Sequence, residues 1–176
     1  TPSGTPYTTY DPFKKNWIDN MPDLEFEPTP ETIPTIPDVG SDPFPPSTEE
    51  TLFPSGEKAA SLRLDEFLTH KVNDYHKTRD RLDLPGTSLL SPYIRFGILG
   101  LRTASVVTRS FMKNDLDRTG QEGAQAWLDE LIWREFYIHI LYHFPQVRTQ
   151  NFVSKYDELE WRSAPDEFQA WKDGRT

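Results

Sequence analysis

Apolar residues recur at three- and four-residue steps through most of the chain after position 54, which is the spacing of one face of an α-helix. The spacing predicts a first helix that begins at a cap at Ser55 or Gly56 and ends before Pro85. The residues on its core face are Ala60, Leu64, Phe67, Leu68, Val72 and Tyr75.

Four more helices are predicted downstream. A short one has Ser91 at the cap and Pro92 at the first helical position, and another covers 101–112 with Val106, Val107 and Phe111 as its apolar positions. A long helix spans 121–144, and a last one spans 165–172. No stretch alternates as a strand does and no segment repeats, so the predicted fold class is all-α.

The long helix is apolar around most of its circumference. A helix with this pattern is normally buried inside a larger protein. We therefore expect it to be buried. Its apolar residues are Trp127, Leu128, Leu131, Ile132, Phe136, Ile138, Ile140 and Leu141.

The first 54 residues have a different composition. They hold twelve of the 16 prolines and carry ten acidic residues against two lysines, a local charge of -8 out of -9 for the chain. Residues 20–54 therefore read as a long, acidic, proline-rich extended linker. The aromatic segment 7–17 before it is expected to pack against a domain preceding Thr1. Because residues 55–176 carry a net charge of only -1, the acidity says little about their partners.

Two small motifs can be interpreted either as purely structural or as functional. Gly86, Thr87, Ser88, Leu89, Leu90 and Ser91 precede a helix start, where backbone N–H groups favour anionic oxygen such as a diphosphate. The structural interpretation is that Ser91 caps its helix and the other hydroxyls make turn hydrogen bonds. Tyr75 and Arg79 share a helix face, either as cofactor and phosphate contacts or as a core tyrosine beside a solvated arginine.

The long helix carries several aromatic and charged side chains close together. Trp127, Glu130, Arg134 and Tyr137 recur on one side of it, and Trp133 follows Glu130 by three residues. Buried charge is costly unless it is paired or used, so the alternatives are a buried Glu130–Arg134 pair beside core tryptophans or a ligand site. Indole faces are good platforms for flat rings.

No metal site is predicted. His139 and His143 are spaced for one, but no nearby carboxylate completes the ligand set. The chain has no cysteine, which excludes disulfides and thiolate zinc sites.

Taken in order, these segments resemble the DNA photolyase and cryptochrome family, most closely the class I cyclobutane pyrimidine dimer photolyases. The matching segments are 5–17, 56–60, 75–79, 87–97, 127–137 and 170–176. The resemblance implies the first half of a helical FAD-binding domain, in which photoexcited reduced flavin donates an electron to a pyrimidine dimer flipped out of double-stranded DNA.

The resemblance also implies a role for each candidate residue. FAD would be held by Tyr75, Thr87, Ser88, Leu89, Leu90, Ser91 and Trp127. Glu130 would hydrogen-bond the dimer and Trp133 would stack on it, both as catalytic residues. DNA and polar groups of the pocket would be contacted by Arg79, Arg134 and Tyr137.

Glu130 together with Trp133 resembles the repair enzymes. The alternatives are a cryptochrome-type blue-light receptor without repair activity, and a helical scaffold whose aromatic helix is only core.

The resemblance further divides the chain into the end of an N-terminal α/β antenna domain (1–19), the linker (20–54) and half of the FAD-binding domain (55–176). It implies a second, folate- or deazaflavin-type chromophore in the antenna domain, a monomer with no membrane partner, and a cytoplasmic, nucleoid-associated location if the source is bacterial. We expect residues 1–176 alone neither to hold FAD tightly nor to repair DNA.

Overall fold

The computed structural model describes residues 1, 3–21, 52–113 and 117–176, with isolated positions at 32, 35, 40, 42 and 43. Most of the predicted linker 20–54 lies outside the described residues. The described residues form helices and no strands, which confirms the all-α prediction. The helices are α1 (Tyr10–Asp19), α2 (Glu57–His70), α3 (Tyr75–Thr78), α4 (Ser91–Arg95), α5 (Leu101–Met112), α6 (Arg118–His143) and α7 (Pro165–Lys172).

Helix α6 is the centre of the fold, and its predicted burial holds as far as Phe136 but is wrong at Ile138 and Leu141, which are exposed. Helices α1, α3 and α5 and the 3₁₀ turn Val72–Asp74 all pack on it. It begins three residues earlier than predicted because the Asp117 carboxylate accepts a hydrogen bond from the Gly120 N–H at 2.7 Å and caps it. Within the described residues, no helix is long and apolar enough to cross a membrane.

The predicted first helix is broken in two. Helix α2 ends at His70, and the 3₁₀ turn then leads into the single helical turn of α3. All six predicted core residues from Ala60 to Tyr75 are nevertheless buried. After the break, the 3₁₀ turn and α3 pack directly on α6, while α2 packs on the turn and on α5.

A glycine on α6 permits this close packing. A Cβ at Gly123 would lie 1.8 Å from the carbonyl oxygen of Val72 and 2.8 Å from that of Asn73, so no other residue fits without moving backbone. The 3₁₀ turn can rest directly on α6 only because this position lacks a side chain. Tyr75, which follows the turn, is positioned by that contact.

Two details of α4 and α5 correct the sequence expectations. Ser91 is the first helical residue of α4 and not its cap, which is Leu90, and no side chain caps that helix. The bounds of α5 are as predicted, but its buried side chains are Ala104, Ser105 and Thr108. Val106, Val107 and Phe111 are only partly buried, because small residues let α5 approach its neighbours along a different face.

The N-terminal aromatic segment is helical and packs on this chain. Phe13 of α1 is buried against Phe136 of α6, with ring centroids 5.3 Å apart. The Nε2 atom of His139 lies 3.1 Å from the backbone nitrogen of Tyr7 and 3.2 Å from its carbonyl oxygen. The segment expected to face a preceding domain therefore has extensive contacts with α6.

Candidate flavin and DNA-lesion site

A pocket of about 210 Å³ lies where α3, the start of α4 and the middle of α6 meet. It brings together residues from three separate segments of the sequence. Its lining residues are Tyr75, Ser88, Leu90, Ser91, Ile94, Trp127, Glu130, Leu131 and Arg134.

The apolar wall of the pocket is supported by a core side chain behind it. Phe67 of α2 packs edge-on against Tyr75, with centroids 5.5 Å apart, and lies 5.2 Å from the ring of Trp127. Tyr75 and Trp127 are themselves buried. Burial, and next the charge of Glu130, raise the pKa of the Tyr75 phenol, so the side chain is neutral at physiological pH. This wall is rigid and uncharged.

The hydroxyl run divides around the pocket. Ser88, Leu90 and Ser91 line it, whereas Thr87 and Leu89 are exposed and do not. Leu89 has a positive φ of 53°, a left-handed conformation that is uncommon for a residue with a side chain. Ser88 and Leu90, on either side of Leu89, line the pocket, whereas the Leu89 side chain is exposed to solvent.

The two serines in the pocket differ in their hydrogen bonds. The Ser88 Oγ accepts a long hydrogen bond, 3.4 Å, from the Leu90 N–H, as the structural interpretation of this segment predicts. Ser91 makes no capping bond, and its hydroxyl has no partner in the part of the chain that the structure describes. The hydroxyl of Ser91 is therefore available to a ligand in the pocket.

Glu130 pairs with Arg79 and not with Arg134. The Arg79 Nη1 donates to the Glu130 Oε1 at 2.6 Å, and both side chains are half-buried. Burial lowers the pKa of Arg79, but the charge and hydrogen bond of Glu130 outweigh it and raise that pKa. Of the two alternatives left open by the sequence, the Glu130–Arg134 pair is therefore wrong, and Arg134 keeps its guanidinium at the pocket without an ion-pair partner among the described residues.

Trp133 and Tyr137 lie on the neighbouring face of α6 and do not line the pocket. Their rings are nearly parallel, at 24°, with centroids 5.7 Å apart. The ring of Tyr10 lies flat on Trp133, at 3.5 Å and 3°. Sequence reasoning missed Tyr10 because it lies 123 positions before Trp133, and it missed Ile94 and Leu131, which helical spacing from Ser91 and Trp127 would have indicated.

The pocket fits part of a dinucleotide cofactor. It has an apolar wall for a flat ring, serine hydroxyls, and a free guanidinium that suits a phosphate. Its volume is below the several hundred Å³ typical of a complete ligand site. The residues present therefore match one side of such a site.

Comparison with known proteins points to one family. Residues 127–176 match the family described as the FAD binding domain of DNA photolyase. The chain is 37% identical over 174 residues to the deoxyribodipyrimidine photo-lyase of Thermus thermophilus, covering 97% of this chain and 38% of that protein. It is 32% identical over 180 residues to the Escherichia coli enzyme of the same name, covering 97% of this chain and 37% of that protein.

A crystal structure of a bacterial class III photolyase from Agrobacterium tumefaciens superposes with a TM-score of 0.68 at 26% identity, covering 99% of this chain and 38% of that one. The chain thus spans about two fifths of the length of the proteins it matches. These matches confirm the resemblance found in the sequence: the chain is similar to members of the DNA photolyase family over nearly its whole length, and residues 127–176 match that family's FAD-binding domain.

Proposed function

We propose that the chain is part of a light-driven deoxyribodipyrimidine photolyase that repairs cyclobutane pyrimidine dimers in double-stranded DNA. The observation that carries the proposal is the convergence of Tyr75, Ser91 and Trp127 on one pocket with the Arg79–Glu130 pair beside it. Relatives named deoxyribodipyrimidine photo-lyase, 32–37% identical across nearly the whole chain, support it.

The pocket residues would hold one side of FAD. Trp127, Leu90 and Leu131 would exclude water from its flat ring or chain, and Ser88, Ser91 and Tyr75 would hydrogen-bond its polar groups. Arg134 would neutralise negative charge at the diphosphate. When bound, the reduced flavin supplies the photoexcited electron that splits the dimer.

Glu130 would meet the dimer after it has left the base stack. A stacked dimer cannot reach a pocket inside the protein, so the lesion must be flipped out. Arg79 holds the Glu130 carboxylate in one position by a 2.6 Å bond and leaves the Oε2 atom without a bond to any described residue. That oxygen is the group that would accept a hydrogen bond from the pyrimidine, and Trp133 would offer its indole face beside it.

The test uses the full-length protein with reduced flavin and an oligonucleotide carrying one thymine dimer. We expect intact thymines to appear in blue light and not in darkness. Glu130→Gln should slow repair about tenfold or more, the size of one charge-assisted hydrogen bond. Glu135→Gln, on another face of the same helix, is the matched control and should repair as wild type.

Each outcome has a distinct meaning. Bound, photoreducible flavin without repair would contradict the proposal and support a blue-light receptor. A protein that binds no flavin would contradict both functions. We further expect residues 1–176 alone to be inactive, because they form a pocket of only about 210 Å³.

A further inference from the structure

Tyr10 covers one face of the indole to which the lesion contact is assigned. The two rings are parallel within 3° and their centroids are 3.5 Å apart, so the phenol ring lies directly over the indole. A second planar group can therefore reach only the opposite face of Trp133. Tyr137 approaches at 5.7 Å and 24°, which is too distant for the same overlap.

Helix α1 is fixed firmly enough to keep Tyr10 in this position. The Tyr10 hydroxyl donates to the carbonyl oxygen of Asp129 at 3.0 Å. One turn further, the Lys14 Nζ lies 2.7 Å from the Asp129 Oδ2. Phe13, between these two contacts, is buried.

The anchor on α6 is the residue next to Glu130. The backbone carbonyl oxygen of Asp129 accepts the hydrogen bond from the Tyr10 hydroxyl, and its Oδ2 accepts one from the Lys14 Nζ. Its Oδ1 accepts a third from the Gln125 Nε2, at 2.7 Å. Burial, followed by the charges of Asp129 and Glu130, raises the pKa of the Tyr10 phenol and keeps it protonated as a donor. The N-terminal helix is thus joined to the stretch of α6 that carries both lesion contacts.

We propose that Tyr10 is a positioning residue of the pyrimidine-dimer site, which backs the Trp133 indole on one face and presents the other face to the flipped-out lesion. The proposal rests on the proposed function. It extends the lesion site to the N-terminal helix, which lies far from the pocket residues in sequence. Tyr10 itself would not touch the lesion.

The opposite interpretation is that Tyr10 occupies the place of the lesion and leaves when DNA binds. The contacts favour backing, because departure of Tyr10 would break its bond to Asp129 and uncover the buried ring of Phe136, on which Tyr10 packs edge-on with centroids 5.9 Å apart. The two interpretations predict effects of opposite sign when the ring is removed. Loss of a backing ring weakens lesion binding, whereas loss of a competing ring strengthens it.

The experiment measures the ratio of affinities of the full-length flavoprotein for the same DNA duplex with and without one thymine dimer, in darkness. General damage to the fold lowers both affinities, while loss of positioning lowers the ratio. We expect Tyr10→Leu to lower the ratio roughly two- to tenfold, the range of one aromatic pair. Tyr10→Phe keeps the ring and should restore most of the ratio.

Two further variants complete the design. Tyr10→Leu added to Trp133→Leu should cause no further loss, because Tyr10 acts through that indole. Tyr142→Leu, which removes an exposed tyrosine from the end of α6, should leave the ratio unchanged.

An unchanged ratio in Tyr10→Leu, or a raised one, would overturn the proposal while leaving the photolyase function in place. A wild-type protein with no preference for the dimer would overturn both.

Discussion

Helix α6 carries large apolar residues both before and after Phe136, but the two parts have opposite surroundings. Up to Phe136, the large apolar residues of α6 are buried against α1, α3, α5 and the 3₁₀ turn Val72–Asp74, except Trp133, which is partly buried. Beyond it, Tyr137, Ile138, Leu141 and Tyr142 are all exposed, and no side chain from 137 to 176 is buried. An apolar pattern therefore indicates which helix surface can be buried, whereas the elements that pack on the helix determine where the core and the pocket form.

The largest expected effect is loss of a core side chain from the part of α6 before Phe136. Ile132 is fully buried, so Ile132→Ala should lower the free energy of unfolding by about 2–5 kcal/mol. Leu141 is 47% exposed, so Leu141→Ala should cost less than about 1 kcal/mol. Denaturant unfolding of both variants measures the two losses of unfolding free energy. Equal losses would contradict the claim that α6 is buried before Phe136 and exposed after it.

The second prediction breaks the contact between α6 and the segment that carries Tyr75. Gly123→Ala should cost about 1–3 kcal/mol, because its Cβ would lie 1.8 Å from the Val72 carbonyl oxygen. A glycine in an unhindered helix would instead gain stability from alanine.

The control for that variant is Gly100→Ala, whose Cβ would meet only the Thr103 side chain, at 3.3 Å. It should cost at most about 1 kcal/mol, that of a weakened helix start. Thermal unfolding of the two variants is the measurement, and a stable Gly123→Ala protein would show that the turn does not rest on α6 as described.

The third prediction separates function from stability at the Arg79–Glu130 pair. The pair is half-exposed, so Arg79→Ala should lower the free energy of unfolding by no more than about 1 kcal/mol. Affinity for dimer-containing DNA should fall about tenfold, because the Glu130 carboxylate loses its fixed position. Binding and unfolding are measured on one preparation, and a large loss of stability with unchanged affinity would make the pair structural.

The smallest expected effect concerns pH and the N-terminal segment. Burial, then the charge of His143, lowers the pKa of His139 below its usual value, and the hydrogen bond with the Tyr7 backbone only partly offsets this. The unfolded chain therefore binds a proton at His139 more readily than the folded one, and stability falls as pH drops from 6.5 through the folded pKa. His139→Gln should reduce this dependence in unfolding curves between pH 7.5 and 5.5, and an unaltered pH dependence would contradict it.

Local features of the fold could be predicted, and long-range pairings could not. The bounds of α5 and α7 follow from spacing, proline and glycine, and the burial of Trp127 follows from its helix. The break after His70 has no proline or glycine to mark it. The buried face of α5 was misjudged because packing of small residues outweighed hydrophobicity.

The same distinction applies to the site. Residue types near Glu130 were evident from a few turns of one helix. Its pairing with Arg79, 51 positions away, and the stack of Tyr10 on Trp133 depend on how distant segments meet. Opposite charges and aromatic rings occur throughout the chain, so no local pattern selects these pairs.

The central claim is that the pocket between α3, α4 and α6 holds the flavin, and a matched pair of serine variants tests it most directly. Ser91→Leu fills the pocket from an exposed position, and Ser61→Leu adds the same group to the exposed side of α2. Flavin content of the purified full-length proteins is measured by visible absorbance. We expect loss of flavin in Ser91→Leu and full retention in Ser61→Leu. Wild-type flavin content and affinity in Ser91→Leu would contradict it.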